Sequence, residues 1–211
     1  MRIERIERSK HKQERVLVYL EGGDLLRITE DELLHFGLHM GLDISPETVV
    51  QLKNAGARSE TRVRAANMIS ARPLSKKELT RRLTEKGAQP QHADEAAEWL
   101  ASIGALDDAA YAAMLVRHYG AQGYGAARVR DELYRRGVPR ELWDEALAQL
   151  DAQENAVRFV RARLRGKLPD EKERQRLLSA LQRRGFSWSE ARGALAAVGA
   201  EIECEEDPSC P

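Results

Sequence analysis

The sequence predicts a mainly α-helical protein, in which a small α+β N-terminal unit with a short β-meander precedes a tandem array of three three-helix repeats. Three observations support this fold class. A 23-residue segment that begins at Glu78 recurs without gaps at Arg128 and Arg176, which is the signature of a repeat architecture. The first 28 residues instead contain short β-rich runs. The high charged fraction of 32% and the low aromatic fraction of 5% favour an array of stacked helices, because such an array exposes more surface per residue than a compact globular domain.

The repeated segment predicts two short helices on either side of a glycine corner. Its first helix carries two apolar residues four positions apart, and the glycine ends that helix in the left-handed conformation. A base precedes the glycine in every copy. Since a helix pair cannot bury its apolar face alone, the copies must stack on one another. The coinciding positions are Leu79, Val129 and Leu177; Leu83, Leu133 and Leu181; the bases Lys86, Arg136 and Arg184; and the glycines Gly87, Gly137 and Gly185.

Residues 1–57 form the predicted N-terminal unit. Thr29 and Glu32 form a capping box that opens a short helix. Ser45, followed by proline, begins a second helix that we expect to end at Gly56. Turn signals separate three β-rich runs, which predicts a three-stranded meander. The predicted strands lie at 2–8, 15–20 and 25–28.

Each of the three repeats adds a longer lead helix before its helix pair. Asp107 and Asp108 are expected to cap the lead helix of the middle repeat and to complement its dipole. Ser75 and Glu78 form a capping box for the helix that follows the first lead helix. We expect Trp143 to belong to the core, and Trp143→Ala should cost roughly 3–5 kcal/mol if its ring is fully buried. The repeats are placed at 58–106, 107–153 and 154–200, their lead helices at 61–72, 108–119 and 154–168, and the expected core also includes Leu83, Leu133, Leu147 and Leu181.

The last segment, residues 201–211, carries five acids and no base. It has no apolar periodicity, so we expect an acidic disordered tail. Both cysteines, Cys204 and Cys210, lie in this tail, which argues against a structural disulfide and favours a cytoplasmic location. No run of 18 apolar residues is present, and the N-terminus lacks the apolar core of a signal peptide.

The residue inventory argues against an enzyme. His35 and His39 have the spacing of a metal-binding pair, but Gly37 between them ends the helix that would align them, and no Glu or Cys ligand is near. The spacing of the two cysteines is not that of a zinc site. We therefore expect no catalytic residue, no metal and no cofactor.

A glycine-rich joint precedes the middle helix pair. The stretch 123–128, GYGAAR, superficially resembles a nucleotide-binding loop. That motif requires a preceding strand, whereas here a helix precedes it, and no GK[ST] follows. We interpret Gly120, Gly123 and Gly125 as a hinge that lets the joint bend.

The positive charge is unevenly distributed. Net charge is zero overall, yet residues 154–200 carry 11 bases and 5 acids. Bases recur near the glycine corner of each repeat, so stacked repeats would align them into a stripe suited to phosphates or to an acidic protein groove. Few aromatic side chains are present on which nucleobases could stack. Contacts with DNA would therefore be made to its phosphate backbone and would weaken steeply as the salt concentration rises. This predicted basic stripe comprises Lys76, Lys77, Arg81, Arg82, Lys86, Arg128, Arg130, Arg135, Arg136, Arg140, Arg161, Arg165, Arg183 and Arg184.

The chain also resembles the RecX family, the regulators of the RecA recombinase, over nearly its whole length. The resemblance includes FGLHMGLDIS at Phe36–Ser45 and RPLSKKELTRRLTEKG at Arg72–Gly87. Its most specific stretch is Leu100–Val138. There the family's Gly-x-Leu-Asp-Asp-x-x-Tyr-Ala pattern and its glycine joint are matched by Gly104, Leu106, Asp107, Asp108, Tyr111 and Ala112, and by Gly123, Gly125, Arg128, Leu133 and Gly137.

The resemblance implies a non-enzymatic, monomeric regulator that lodges in the groove of the RecA–DNA filament. Such a protein would inhibit the recombinase, ATPase and coprotease activities of RecA, and would modulate recombinational DNA repair and the SOS response. It could also bind single- and double-stranded DNA directly. Two alternatives stay open: a DNA-backbone-binding helical-repeat protein that acts on recombination only indirectly, and a helical-repeat scaffold for another partner.

Overall fold

The computed structural model describes residues 1–10 and 15–206. It confirms the predicted fold class, a mainly α-helical chain with a small antiparallel sheet at its N-terminus. The chain divides into two compact units. The first contains Met1–Pro73 and Leu79–Leu106, and the second contains Leu74–Glu78 together with the chain from Asp107 onward. No helix in the described ranges is both long and apolar enough to span a membrane.

The N-terminal sheet is the predicted meander. Strands β1 (Ile3–Arg8), β2 (Val16–Leu20) and β3 (Leu25–Ile28) pair antiparallel in chain order. Alternate residues of β2 are buried, as expected for a sheet with one face on a core. Helix α1 (Glu30–His35) begins with the predicted capping box, in which the peptide N–H groups and side chains of Thr29 and Glu32 bond reciprocally.

Helix α2 (Pro46–Ala71) is continuous over 26 residues. The prediction that Gly56 ends a helix is therefore wrong, and residues 57 and 58, between which the sequence placed a boundary, both lie inside α2. The reason is a close approach between α2 and the sheet. A Cβ at Gly56 would lie 2.3 Å from the carbonyl oxygen of Arg27. Glycine is therefore needed here because there is no room for a side chain, and not because the backbone is left-handed. The N-terminal sheet and the first repeat thus share one helix.

The first repeat combines the C-terminal half of α2 with α3 (Lys76–Glu85) and α4 (Pro90–Ser102). Ser75 caps α3 as predicted, because its Oγ accepts the peptide N–H of Glu78 at 3.1 Å. Gly87 forms the corner with a φ of +86°. The buried apolar residues of α3 and α4 are Leu79, Leu83, Ala93, Ala96, Ala97 and Leu100.

The second repeat contains α5 (Asp108–Ala121), α6 (Ala126–Arg135) and α7 (Trp143–Leu147), with a 3₁₀ turn before α7. Leu133 is fully buried, as predicted. The prediction that Trp143 and Leu147 lie in the core is met only in part, since both are partly buried and pack against its edge. Helix α7 has only five residues, which leaves the indole at the edge, where its Nε1 donates to the Val138 carbonyl at 3.0 Å.

The third repeat contains α8 (Ala152–Leu164), α9 (Glu171–Arg183) and α10 (Trp188–Glu206). Helix α8 is shorter than predicted because Arg165 and Gly166 adopt left-handed conformations, with φ of 49° and 77°.

The predicted disorder of residues 201–211 is wrong for 201–206, which continue α10. Ile202 lies four residues after the buried Val198, and it extends the apolar stripe into the acidic segment with only 4% of its surface exposed. The remainder of the predicted tail, with Cys210, lies outside the described residues.

Candidate partner-binding surface

The structure divides the predicted basic stripe by what each side chain contacts. A buried carboxylate holds two of its members. Glu132 on α6 has a side chain that is only 7% exposed, and its Oε1 pairs with Arg128 at 3.2 Å and with Arg135 at 2.8 Å. These partners lie one turn before and one turn after Glu132, the spacing that brings helical side chains together. Both arginines therefore neutralise an internal acid.

Arg136 is half-buried at the corner of the second repeat. Burial opposes its charged form, but the neighbouring Tyr111, a hydrogen bond to Tyr119 and the carboxylate of Glu78 outweigh burial and raise the pKa of the guanidinium. Its backbone carbonyl accepts a hydrogen bond from the Ser75 hydroxyl. Arg136 is thus anchored on both its side chain and its backbone.

Arg184 occupies the equivalent corner of the third repeat. Its Nη1 donates to the carbonyls of Gln122 and Gly123, each at 3.2 Å. Those carbonyls end α5, where a cation is favoured by the helix dipole. The guanidinium also lies 4.7 Å from the ring centroid of Phe159 and 5.4 Å from that of Tyr124. Arg184 therefore joins the third repeat to the second.

The same corner completes helix α6. Gly125, the N-cap residue of α6, donates its N–H to the Arg184 carbonyl at 2.9 Å, and Ala127 donates to the Gly185 carbonyl at 3.0 Å. Glycine has no side chain that could cap α6, so the corner of the next repeat accepts these otherwise unpaired donors. We call this contact, between Gly125 and Ala127 on one side and Arg184 and Gly185 on the other, the corner interlock.

A related contact occurs one repeat earlier. Ser75 and Gly125 are equivalent N-cap residues of their repeats, and Arg136 and Arg184 are equivalent corner bases. In both cases the N-cap residue donates a hydrogen bond to the corner carbonyl. This contact uses a backbone carbonyl, which any residue would supply, so it explains the packing of the corner and not the recurrence of a base there. The recurrence itself is visible in the sequence, but the role of the backbone carbonyl is not.

The glycine joint is closely packed. A Cβ at Gly120 would lie 2.8 Å from Leu150 Cδ1, and one at Gly125 would lie 2.4 Å from the Gly185 oxygen. Gly123 turns the chain with a φ of +74°. These contacts explain why the joint contains glycine. That Gly120, Gly123 and Gly125 form a hinge stays a prediction.

The paired aspartates of the Gly-x-Leu-Asp-Asp pattern cap two different helices. Asp107 Oδ1 accepts the N–H groups of Ala109 and Ala110, each at 2.9 Å, and so caps α5 as predicted. Asp108 Oδ1 instead accepts the N–H of Lys76 at 2.8 Å, at the start of α3. The expectation that both aspartates cap α5 is therefore wrong. Burial raises the pKa of Asp108, against the lowering effect of that hydrogen bond and of the Lys76 charge.

Five other members of the predicted stripe contact the chain in different ways. Arg81 forms a surface pair with Glu85, worth at most about 1 kcal/mol. Arg140 lies 5.7 Å from the ring centroid of Trp143. The Lys77 stem lies beside Gly137, where a Cβ would be 3.2 Å from Lys77 Cβ. Lys76 and Arg82 are half-buried.

Four predicted bases are exposed and have side chains that form no ion pair, hydrogen bond or aromatic-ring contact with any described residue. Lys86 belongs to the first compact unit, and Arg130, Arg165 and Arg183 belong to the second. We call these four residues the exposed bases: Lys86, Arg130, Arg165 and Arg183.

The predicted stripe omits three bases of α9, Lys172, Arg174 and Arg176. Lys172 and Arg176 are exposed, and with Arg183 they follow helical spacing on the side opposite the buried Leu177 and Leu181. The signal that would have identified them is this helical periodicity, rather than proximity to the glycine corner.

Within the described part of the chain, no group of three or more His, Cys, Asp or Glu side chains could hold a metal ion. His39 instead makes a local contact, with Nδ1 3.1 Å from the Met40 carbonyl oxygen.

Three family models match the helical repeats in order. The model of the first RecX three-helix domain matches residues 62–100, that of the second matches 107–147, and that of the third matches 150–195. Together they cover more than half of the chain.

Full-length comparisons agree with these matches. The regulatory protein RecX of Halorhodospira halophila is 36% identical over 157 residues, covering 72% of this chain and 97% of that protein. The regulatory protein RecX of Geobacillus kaustophilus is 31% identical over 199 residues, covering 90% of this chain and 74% of that protein. A crystal structure of a regulatory protein RecX superposes with a TM-score of 0.72 at 23% identity, covering 90% of this chain and 97% of that one. The order of the repeats, their helix corners and these relatives lead to one conclusion: the chain belongs to the RecX family of regulatory proteins.

Proposed function

We propose that this protein is a non-enzymatic regulator of a RecA recombinase. It binds the RecA filament on DNA and lowers its recombinase, ATPase and coprotease activities, and it thereby modulates recombinational DNA repair and the SOS response. The observation that supports this proposal is the match of all three helical repeats to the domains of one regulatory family, in the family's order. The regulator acts by occupancy as a monomer in the cytoplasm, so its effect scales with its ratio to RecA.

The exposed bases are the residues we propose for contacts with the partner. Their charges are unpaired within the described chain, so binding an acidic or phosphate group requires no internal ion pair to break. Arg128, Arg135, Arg136 and Arg184 have internal partners instead, and their removal would leave buried groups unsatisfied. We assign these four residues chiefly to holding the repeats together.

The two candidate partners of the exposed bases are acidic RecA surface and DNA phosphate. An order-of-addition experiment separates direct RecA regulation from the alternative of DNA-backbone binding with an indirect effect. The protein is added to RecA filaments preformed on single-stranded DNA, at a salt concentration that abolishes its own binding to DNA. We expect filament loss and a fall in ATPase activity to persist. Loss of every effect at that salt concentration would favour the alternative.

Charge reversal then tests the assigned residues. The double variant Arg130→Glu/Arg183→Glu should fold normally, because both side chains are exposed, and should need at least about tenfold more protein for half-maximal inhibition if each contact contributes roughly 1 kcal/mol. Arg174→Glu/Arg192→Glu is the matched control, since it reverses the same number of charges at exposed arginines of the same compact unit that lie outside the proposed set. Equal inhibition by a folded double variant and by wild type would refute this assignment.

A further inference from the structure

The acidic end of α10 packs beside a basic side of α8. Residues 154–200 carry 11 bases and 5 acids, whereas residues 201–211 carry five acids and no base. The two helices run in parallel register, because Gly193 lies against Gln153 and Glu201 lies against Arg161, eight residues further along each helix. This register brings the first acid of the segment to a base of the predicted stripe.

The contact between Arg161 and Glu201 is a bidentate ion pair. Arg161 Nη2 donates to both carboxylate oxygens, at 2.8 and 2.9 Å, and Nε donates to Oε2 at 3.1 Å. This edge of the guanidinium is the one that also fits two oxygens of a phosphate. A phosphate and Glu201 therefore cannot occupy it together.

Packing fixes the position of Glu201, while solvent still reaches the pair. Ile202, the next residue, is buried in the core of the third repeat. The side chains of Arg161 and Glu201 nevertheless remain 54% and 46% exposed. A competing anion can thus approach Arg161 from solvent without unfolding α10.

We propose that the acidic end of α10 is an autoinhibitory element, in which Glu201 competes with a DNA phosphate for Arg161. The inference rests on the proposed function in one respect: it adds Arg161, a member of the predicted basic stripe that Glu201 occupies, to the exposed bases as a residue that contacts the partner. An exposed ion pair is weak, so the competition lowers DNA affinity by about 1.5- to 5-fold rather than abolishing binding. It weakens binding without a structural rearrangement.

The test measures binding of the full-length protein to a fluorescein-labelled single-stranded oligothymidylate by anisotropy, over a range of salt concentrations. Glu201→Gln should bind about 1.5- to 5-fold more tightly at low salt. Because one more phosphate contact forms, the plot of log K against log salt should steepen by about 0.7. Circular dichroism melts confirm that each variant folds.

Glu203→Gln is the matched control. It removes the same charge from the same helix, and Glu203 is an exposed acid that forms no ion pair with Arg161 among the described contacts. The control should therefore bind only slightly more tightly, through net charge alone. In an Arg161→Gln background, Glu201→Gln should give no more gain than the control.

Three results would overturn the inference: no gain in affinity for Glu201→Gln, an equal gain for Glu203→Gln, or a full gain that persists without Arg161. Failure of the proposed function is distinguishable from these. If Glu201→Gln binds DNA more tightly while neither it nor wild type affects RecA filaments, the competition stands and RecA regulation fails. If wild type inhibits RecA but Glu201→Gln leaves DNA affinity unchanged, only the autoinhibitory contact fails.

Discussion

Substitution of Gly125 by alanine tests the corner interlock. The backbone at Gly125 has φ −85° and ψ 172°, a conformation that alanine adopts freely. The cost must therefore come from the close approach. A Cβ would lie 2.4 Å from the carbonyl oxygen of Gly185 and 2.5 Å from the amide nitrogen of Phe186. Both atoms belong to the backbone, so no side chain can rotate to make room.

Relieving this clash must move the start of α6 away from the helix corner at Gly185. That separation stretches two hydrogen bonds, from Gly125 to Arg184 and from Ala127 to Gly185. Each is worth about 0.5–1.5 kcal/mol net, and overpacking adds about 1–3 kcal/mol. Alanine recovers roughly 0.4–1 kcal/mol by restricting the unfolded chain. We expect Gly125→Ala to lower the free energy of unfolding by about 2–5 kcal/mol.

The assay is urea denaturation followed by far-UV circular dichroism. Gly199→Ala is the matched control, since Gly199 lies within helix α10 and a Cβ there would meet no atom within 4 Å. The control should be stabilised by about 0.5–1 kcal/mol through helix propensity. A Gly125→Ala protein as stable as wild type or as the control would refute the interlock.

Two further predictions concern contacts that the sequence did not reveal. Ile202→Ala should lower the free energy of unfolding by about 2–5 kcal/mol because it opens a cavity in the hydrophobic core of the third repeat. An unchanged urea midpoint would show that residues 201–206 do not pack against that core. The pKa of Asp108 is raised in the folded state, so its contribution to stability is largest below the unfolded pKa of roughly 4 and is lost as pH rises through the folded value. The stability of wild type relative to Asp108→Asn should thus fall as pH rises from about 4, as measured by urea midpoints. A difference independent of pH would contradict the half-buried position of Asp108.

Local signals in the sequence predicted much of the fold. The caps at Thr29, Ser75 and Asp107 and the corner at Gly137 depend on a few neighbouring residues, and the structure confirms them. The strands and the buried leucines of the repeats follow from periodicity, which packing against one core enforces.

Two of the wrong predictions share one physical cause, which is contact between residues distant in sequence. Gly56 has the composition of a helix end, but the Arg27 carbonyl requires glycine there inside a helix. Asp108 directly follows Asp107, the N-cap residue of α5, but its side chain caps α3 by accepting the N–H of Lys76, 32 residues earlier in the chain. A glycine needed for a left-handed backbone and a glycine needed for close approach look the same in a single sequence.

The basic residues show the same limit for function. Composition identified a set of bases but could not separate Arg184, held by carbonyls and aromatic rings, from the exposed Arg183 beside it. That separation depends on which side of a helix meets the preceding repeat.

The corner interlock has a consequence for synthesis of the chain. Helix α6 emerges from the ribosome with Gly125 at its start, and the carbonyls that complete its first turn belong to residues 184 and 185. The third repeat has no such dependence, because the side chains of Asp151 and Asp170 cap its first two helices and Ser187 caps the last. Some 60 further residues must therefore be synthesised before the hydrogen bonds at the start of α6 in the middle repeat can form. The last repeat can fold as soon as it is synthesised.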